Sequence, residues 1–151
     1  MLENSLTDGV LYRYRHTNTG GGRTEAMLAI LKTFWTAVST VFADAWALPP
    51  RKSRLTHGVG IISLGFIMDA IADARLDDHD EIDLEHFVKE LSTLDEVCRW
   101  TSGTWEFPDG NQRKWNDVQN TPRDIQLITN YLLGEYRAGP GGRGPRQLRL
   151  G

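Results

Sequence analysis

The 151-residue sequence has one cysteine, Cys98. That excludes an internal disulfide framework, and with no signal-peptide-like start the expected compartment is a reducing cytoplasm. It also lacks a long apolar run. The longest, Val59 to Ala72, is interrupted by Gly60, Ser63, Gly65 and Asp69, so no membrane partner is expected. There is no excess of positive charge: the formal net charge is -3, and any nucleic-acid contact must come from a local basic patch. Internal repeats are missing too.

What is present is ordinary globular material, 40% hydrophobic and 25% charged. The ends differ from the middle. Residues 1–22 hold one short alternating run, Val10 to Arg15, read as an N-terminal remnant with a lone strand. Residues 138–151 are rich in Gly, Pro and Arg and are expected to be disordered. Between them, residues 23–137 read as one helical domain.

Apolar spacing predicts four helices. The first runs from a Thr24 cap to about Trp46, where Pro49-Pro50 stops it. The second, about Leu55 to Ala74, is apolar nearly all round and is expected at the centre of the core. Its glycines, Gly58, Gly60 and Gly65, imply that another segment or a ligand approaches closely. The third runs from about Leu84 to Cys98 behind an Asp83 cap. The fourth opens at Thr121-Pro122-Arg123-Asp124, with a cap, a first-turn proline and an acid in sequence, and runs to about Tyr136. Before it, residues 104–111 read as a strand entering an Asp-Gly turn, with Lys114-Trp115 as its return. The fold class is therefore mainly α, about four helices around a central apolar helix with a minor β-hairpin.

Several patterns invite chemistry. Residues 69–96 are crowded with acids, opposed only by Arg75 and Lys89, and include His79 and His86. A calcium loop ending in this stretch would need Arg75 as its first ligand, Asp80 as its turn glycine and His86 as its bidentate glutamate. It therefore fails, and no metal is expected. The run from Gly58 to Gly65 is not a dinucleotide fingerprint, because Ser63 falls where the third glycine belongs. No catalytic set and no cofactor is expected in this chain alone.

The basic turn Arg51-Lys52-Ser53-Arg54, followed by His57, is the best-placed feature. It precedes the N-terminus of the second helix, so backbone N–H groups and cations would together form a phosphate-sized anion site. Arg51, Lys52, Arg54 and His57 are the candidate DNA-backbone contacts, their charges expected to project outward. An ordinary basic turn with a capping histidine gives the same pattern. Five tryptophans stand out. Trp100, Trp105 and Trp115 are interleaved with Arg99, Arg113 and Lys114, which suits either base stacking or a small aromatic core under the turn.

The run Ile30 to Val38 leads into Val41-Phe42-Ala43-Asp44-Ala45-Trp46, then a proline break, a basic stretch, and Leu55 to Ile61. This order resembles the C-terminal part of DGQHR-domain proteins, the group that includes the DndB-like proteins of bacterial DNA-modification systems. The likeness covers roughly residues 24–75. It implies association with DNA modification or its regulation, with DNA or proteins of such a system as partners. The family's naming motif, Asp-Gly-Gln-His-Arg, belongs to an N-terminal domain similar to ParB-type nuclease folds. It is absent here, since Asp8-Gly9 is followed by Val10-Leu11, and no active residue carries over. Two alternatives stay open. The chain is a segment of a nuclease- or nucleotidase-type enzyme whose active site lies in a missing N-terminal part, or it is a plain helical interaction module.

Overall fold

The computed structural model describes residues 20–78 and 82–139. The strand read at Val10 to Arg15, residues His79, Asp80 and Glu81 of the acidic run, and the tail from Pro140 onward lie outside the described residues. The rest is mainly helical with one small antiparallel hairpin, in the order α1 (Gly20–Val41), α2 (Ala43–Trp46), α3 (Gly58–Asp78), α4 (Leu84–Ser92), β1 (Thr104–Phe107), a 3-10 turn (Pro108–Gly110), β2 (Asn111–Lys114) and α5 (Pro122–Ala138).

The expected first helix is kinked rather than continuous. Near its end, hydroxyls bond back to the backbone: Thr36 Oγ1 to the Lys32 carbonyl at 2.7 Å, and Ser39 and Thr40 both to the Thr36 carbonyl. Such back-bonding bends helices. Phe42 then leaves helical torsions (φ -113, ψ 47). Its ring meets Trp100 edge-on at 6.1 Å, so burial of the ring accompanies the bend. α1 also begins one turn before Thr24, which is therefore an interior residue and not the cap.

The third helix is shorter than its apolar stripe. The Asp83 carboxylate caps it, accepting from the His86 N–H at 2.8 Å. Ser92 and Thr93 then turn their hydroxyls onto the Val88 and Glu90 carbonyls, and the chain continues to Cys98 as tight turns. Leu94 and Cys98 are buried all the same, because turns at this spacing still point them inward. α5 begins at the Thr121 cap as read, but runs to Ala138, into the segment assigned to the tail.

α1 packs on α4, with Phe34 and Phe87 edge-to-face at 5.2 Å, and α3 packs on α5. No residue of α3 from Gly58 to Arg75 is exposed, in keeping with its all-round apolar sequence. The hairpin pairs Thr104 with Lys114 and Phe107 with Asn111. Asp109 and Gly110 both take positive φ at its tip (65 and 72), as the Asp-Gly signal requires. Trp105 is fully buried, stacked on Phe107 and edge-on to Trp100 and Tyr131, which fastens the hairpin to α5. No described helix is long and apolar enough to cross a membrane.

Candidate nucleic-acid interface

Pro49 and Pro50 open a tight turn in which the Lys52 and Ser53 N–H groups both donate to the Pro49 carbonyl, at 2.8 and 3.0 Å. Arg51 and Lys52 ride on the outside of this turn and are exposed.

Arg54 does not project outward. It is only 9% exposed, and its guanidinium is spent on backbone oxygens. Nε donates to the Val118 carbonyl at 3.0 Å, Nη2 to Asn116 at 2.8 Å and Nη1 to Pro50 at 3.2 Å. Its own N–H donates to the Trp100 carbonyl at 2.8 Å. The fork geometry of arginine suits this work: one planar group satisfies three carbonyls from two chain segments. The sequence placed Arg54 with its basic neighbours, whereas tertiary contacts recruit it as a clamp between residues 50–54 and 116–118.

His57 lies at the start of α3, with its Nδ1 3.3 Å from the Val59 N–H, which donates to it. It is an N-cap built from an imidazole rather than a hydroxyl or carboxylate. Burial first, and then the Arg54 charge, hold its pKa below the ordinary histidine value, so the neutral, accepting ring is the favoured form. Of the four residues nominated from the sequence, Arg51 and Lys52 are thus outward-facing cations, while Arg54 and His57 are engaged within the fold.

The Arg54 clamp has a consequence that chain position hides. Pro50 and Asn116 share one guanidinium, so the basic turn lies beside the far end of the hairpin, where Lys114 is exposed and Trp115 half-buried. The Trp115 N–H donates to the Gly103 carbonyl at 3.0 Å, and the Arg54 guanidinium carbon lies over its ring, 5.7 Å from the centroid. Arg113, next along, is not available in the same way. Its two terminal nitrogens reach the two Asp124 oxygens at 3.3 and 3.2 Å. Asp124 also accepts the Gln119 N–H at 2.8 Å. Burial works to raise the Asp124 pKa but is outweighed by these hydrogen bonds and by the Arg113 and Arg123 charges, which leave it below the ordinary value. Within residues 114–120, Asp117 is the one acid in the sequence.

Lys114 and Trp115 were visible in the sequence as part of an aromatic and basic interleave. Their adjacency to Arg51 and Lys52 was not, because it depends on contacts between residues more than sixty positions apart.

Other sites offer less. Cys98 is buried, and burial together with Asp95 pushes its thiol pKa upward, which disfavours a reactive thiolate. Among the described residues no three metal-binding side chains converge. No protein family, curated protein or solved structure matches the chain.

Proposed function

We propose that this chain is the C-terminal helical portion of a DGQHR- or DndB-like protein associated with bacterial DNA modification or its regulation, and that it contacts the DNA backbone through Arg51 and Lys52. The observation that carries the proposal is the presentation of these two exposed cations on a turn held in place by the Arg54 clamp. A preordered turn loses little entropy on meeting phosphate, and its charges are local enough to act despite a net charge of -3. Such contacts read no bases. Binding is therefore expected to be weak, sequence-independent and salt-sensitive.

The test is titration of a labelled duplex at several salt concentrations, with the wild type and an Arg51→Ala/Lys52→Ala variant. Arg54 is left in place because its guanidinium is already satisfied. The expected result is a shallower salt dependence, by about 0.9 in the logarithmic slope for each phosphate that the variant no longer neutralises. Identical slopes would remove this turn from consideration and favour docking of a partner protein.

A further inference from the structure

The fold divides the five tryptophans into three environments. Trp100 and Trp105 are buried and pack edge-to-face at 5.2 Å. Trp35 and Trp46 stack on each other at 5.8 Å along the first helix and its continuation. Trp115 alone is half-buried with no other ring against it among the described residues. Its ring is covered from within by Arg54, a side chain that is itself buried and tied to three carbonyls. The residue keeps part of its surface in solvent, and the guanidinium takes one face of its ring.

We infer that Trp115 is a stacking platform for an unpaired base, and that the surface around it takes single-stranded nucleic acid, with Arg51, Lys52 and Lys114 on the phosphates. This inference rests on the backbone-contact reading above and adds the kind of strand the site accepts. Three features support it. The indole is held at both ends of its residue, by the Trp115 N–H to Gly103 and by Arg54 on the ring, so it is ordered before any base arrives. A guanidinium on one face of the ring leaves the opposite one for a second π-system, as in proteins that combine basic grooves with aromatic platforms. Lys114 precedes it on an exposed position of β2, and the exposed cations of the basic turn follow Pro50, which shares the Arg54 guanidinium with Asn116, so cations adjoin Trp115 both along the chain and across the clamp. A duplex hides its base faces in its own stack and has nothing to offer this ring.

The experiment compares, at one fixed salt concentration, a short oligothymidine with an oligonucleotide of equal length built from abasic sugars. Both carry the same phosphates and differ only in bases. The wild-type chain is expected to bind the thymidine strand more tightly by about fivefold or more, the least that one stacked base contributes. Trp115→Leu, which keeps apolar bulk without a ring, should bind both alike, and Trp115→Phe should keep most of the difference. Equal affinity of the wild type for the two strands overturns the inference without recourse to any variant. If that equality comes with a salt slope that still depends on Arg51 and Lys52, the backbone contact stands and only the stacking fails. If the wild type binds neither strand nor duplex, both readings fall.

Discussion

The Arg54 carbonyl occupies the space where a side chain on Gly60 would begin. A Cβ built on Gly60 collides with that oxygen and lies 2.7 Å from both the Cα and the carbonyl oxygen of Leu55. All three atoms belong to backbone, which cannot swing aside as a side chain would. The glycine is what allows the loop carrying the basic turn to fold back over the first turn of α3.

Gly60→Ala is therefore expected to destabilise the protein far beyond the small gain alanine normally brings to a helix, by about 2 kcal/mol or more, since overpacking forces backbone shifts. Gly134 in α5 is the control: nothing lies within 4 Å of a Cβ placed there. Gly134→Ala should stabilise by up to about 1 kcal/mol. Urea denaturation of the two variants reads both numbers. Similar midpoints for the pair would contradict the close approach at Gly60.

Arg54 should behave as a structural residue. Replacing it with Met removes the guanidinium from the Val118, Asn116 and Pro50 carbonyls, of which Asn116 keeps a second donor in Gln119 Nε2 at 3.3 Å, and hydrogen bonds from a charged group contribute about 1.5–3 kcal/mol apiece when they are not shared. A destabilisation of about 3 kcal/mol or more is expected in equilibrium unfolding. Arg54→Lys should recover little, because an ammonium cannot span three carbonyls in one plane. An Arg54→Met protein as stable as the wild type would dispose of the clamp.

His57 couples this region to pH. Its folded pKa is lowered, by burial first and by Arg54 second, from the ordinary 6.5. The unfolded chain then binds the proton more readily than the folded one. The contribution of the neutral ring is present above pH 6.5 and is lost as the pH falls below that value toward the folded pKa. Asparagine caps helices without titrating. The wild type should therefore lose more stability than His57→Asn between neutral pH and mild acid, as followed by thermal melts across that range. Parallel curves would show that the imidazole cap is not linked to protonation. At neutral pH, His57→Ala should cost about 1 kcal/mol, the usual value of a helix cap.

Much of the architecture was legible locally. Thr121-Pro122-Arg123-Asp124 specifies a helix start through short-range bonds, and the Thr121 hydroxyl does accept the Asp124 N–H, at 3.2 Å. Asp83 caps α4 through the same physics. Asp109-Gly110 selects a hairpin tip because few other pairs tolerate two positive φ angles. The apolar stripes place Phe34, Phe87, Ile67 and Ile128 in the core, since helical spacing alone decides which face they share. Helix ends were less readable. At Ser92-Thr93, and at the kink after Thr40, side-chain hydroxyls compete with the backbone, and periodicity does not record that contest.

The site divides along the same line. Its sequence determined that cations cluster at residues 51–54 and that a glycine-bearing helix follows. Only the tertiary structure decided which cations remain free. Arg51 and Lys52 face solvent, while Arg54, in the same basic run, turns inward to three carbonyls that chain proximity does not supply together: Pro50 is near in sequence, but Asn116 and Val118 come from beyond the hairpin. The same clamp sets Trp115 beside the basic turn. A charge's neighbours in a folded protein are set by distance in space, and across a separation of sixty residues that distance is decided by packing and hydrogen bonding, not by the spacing of residues along the chain.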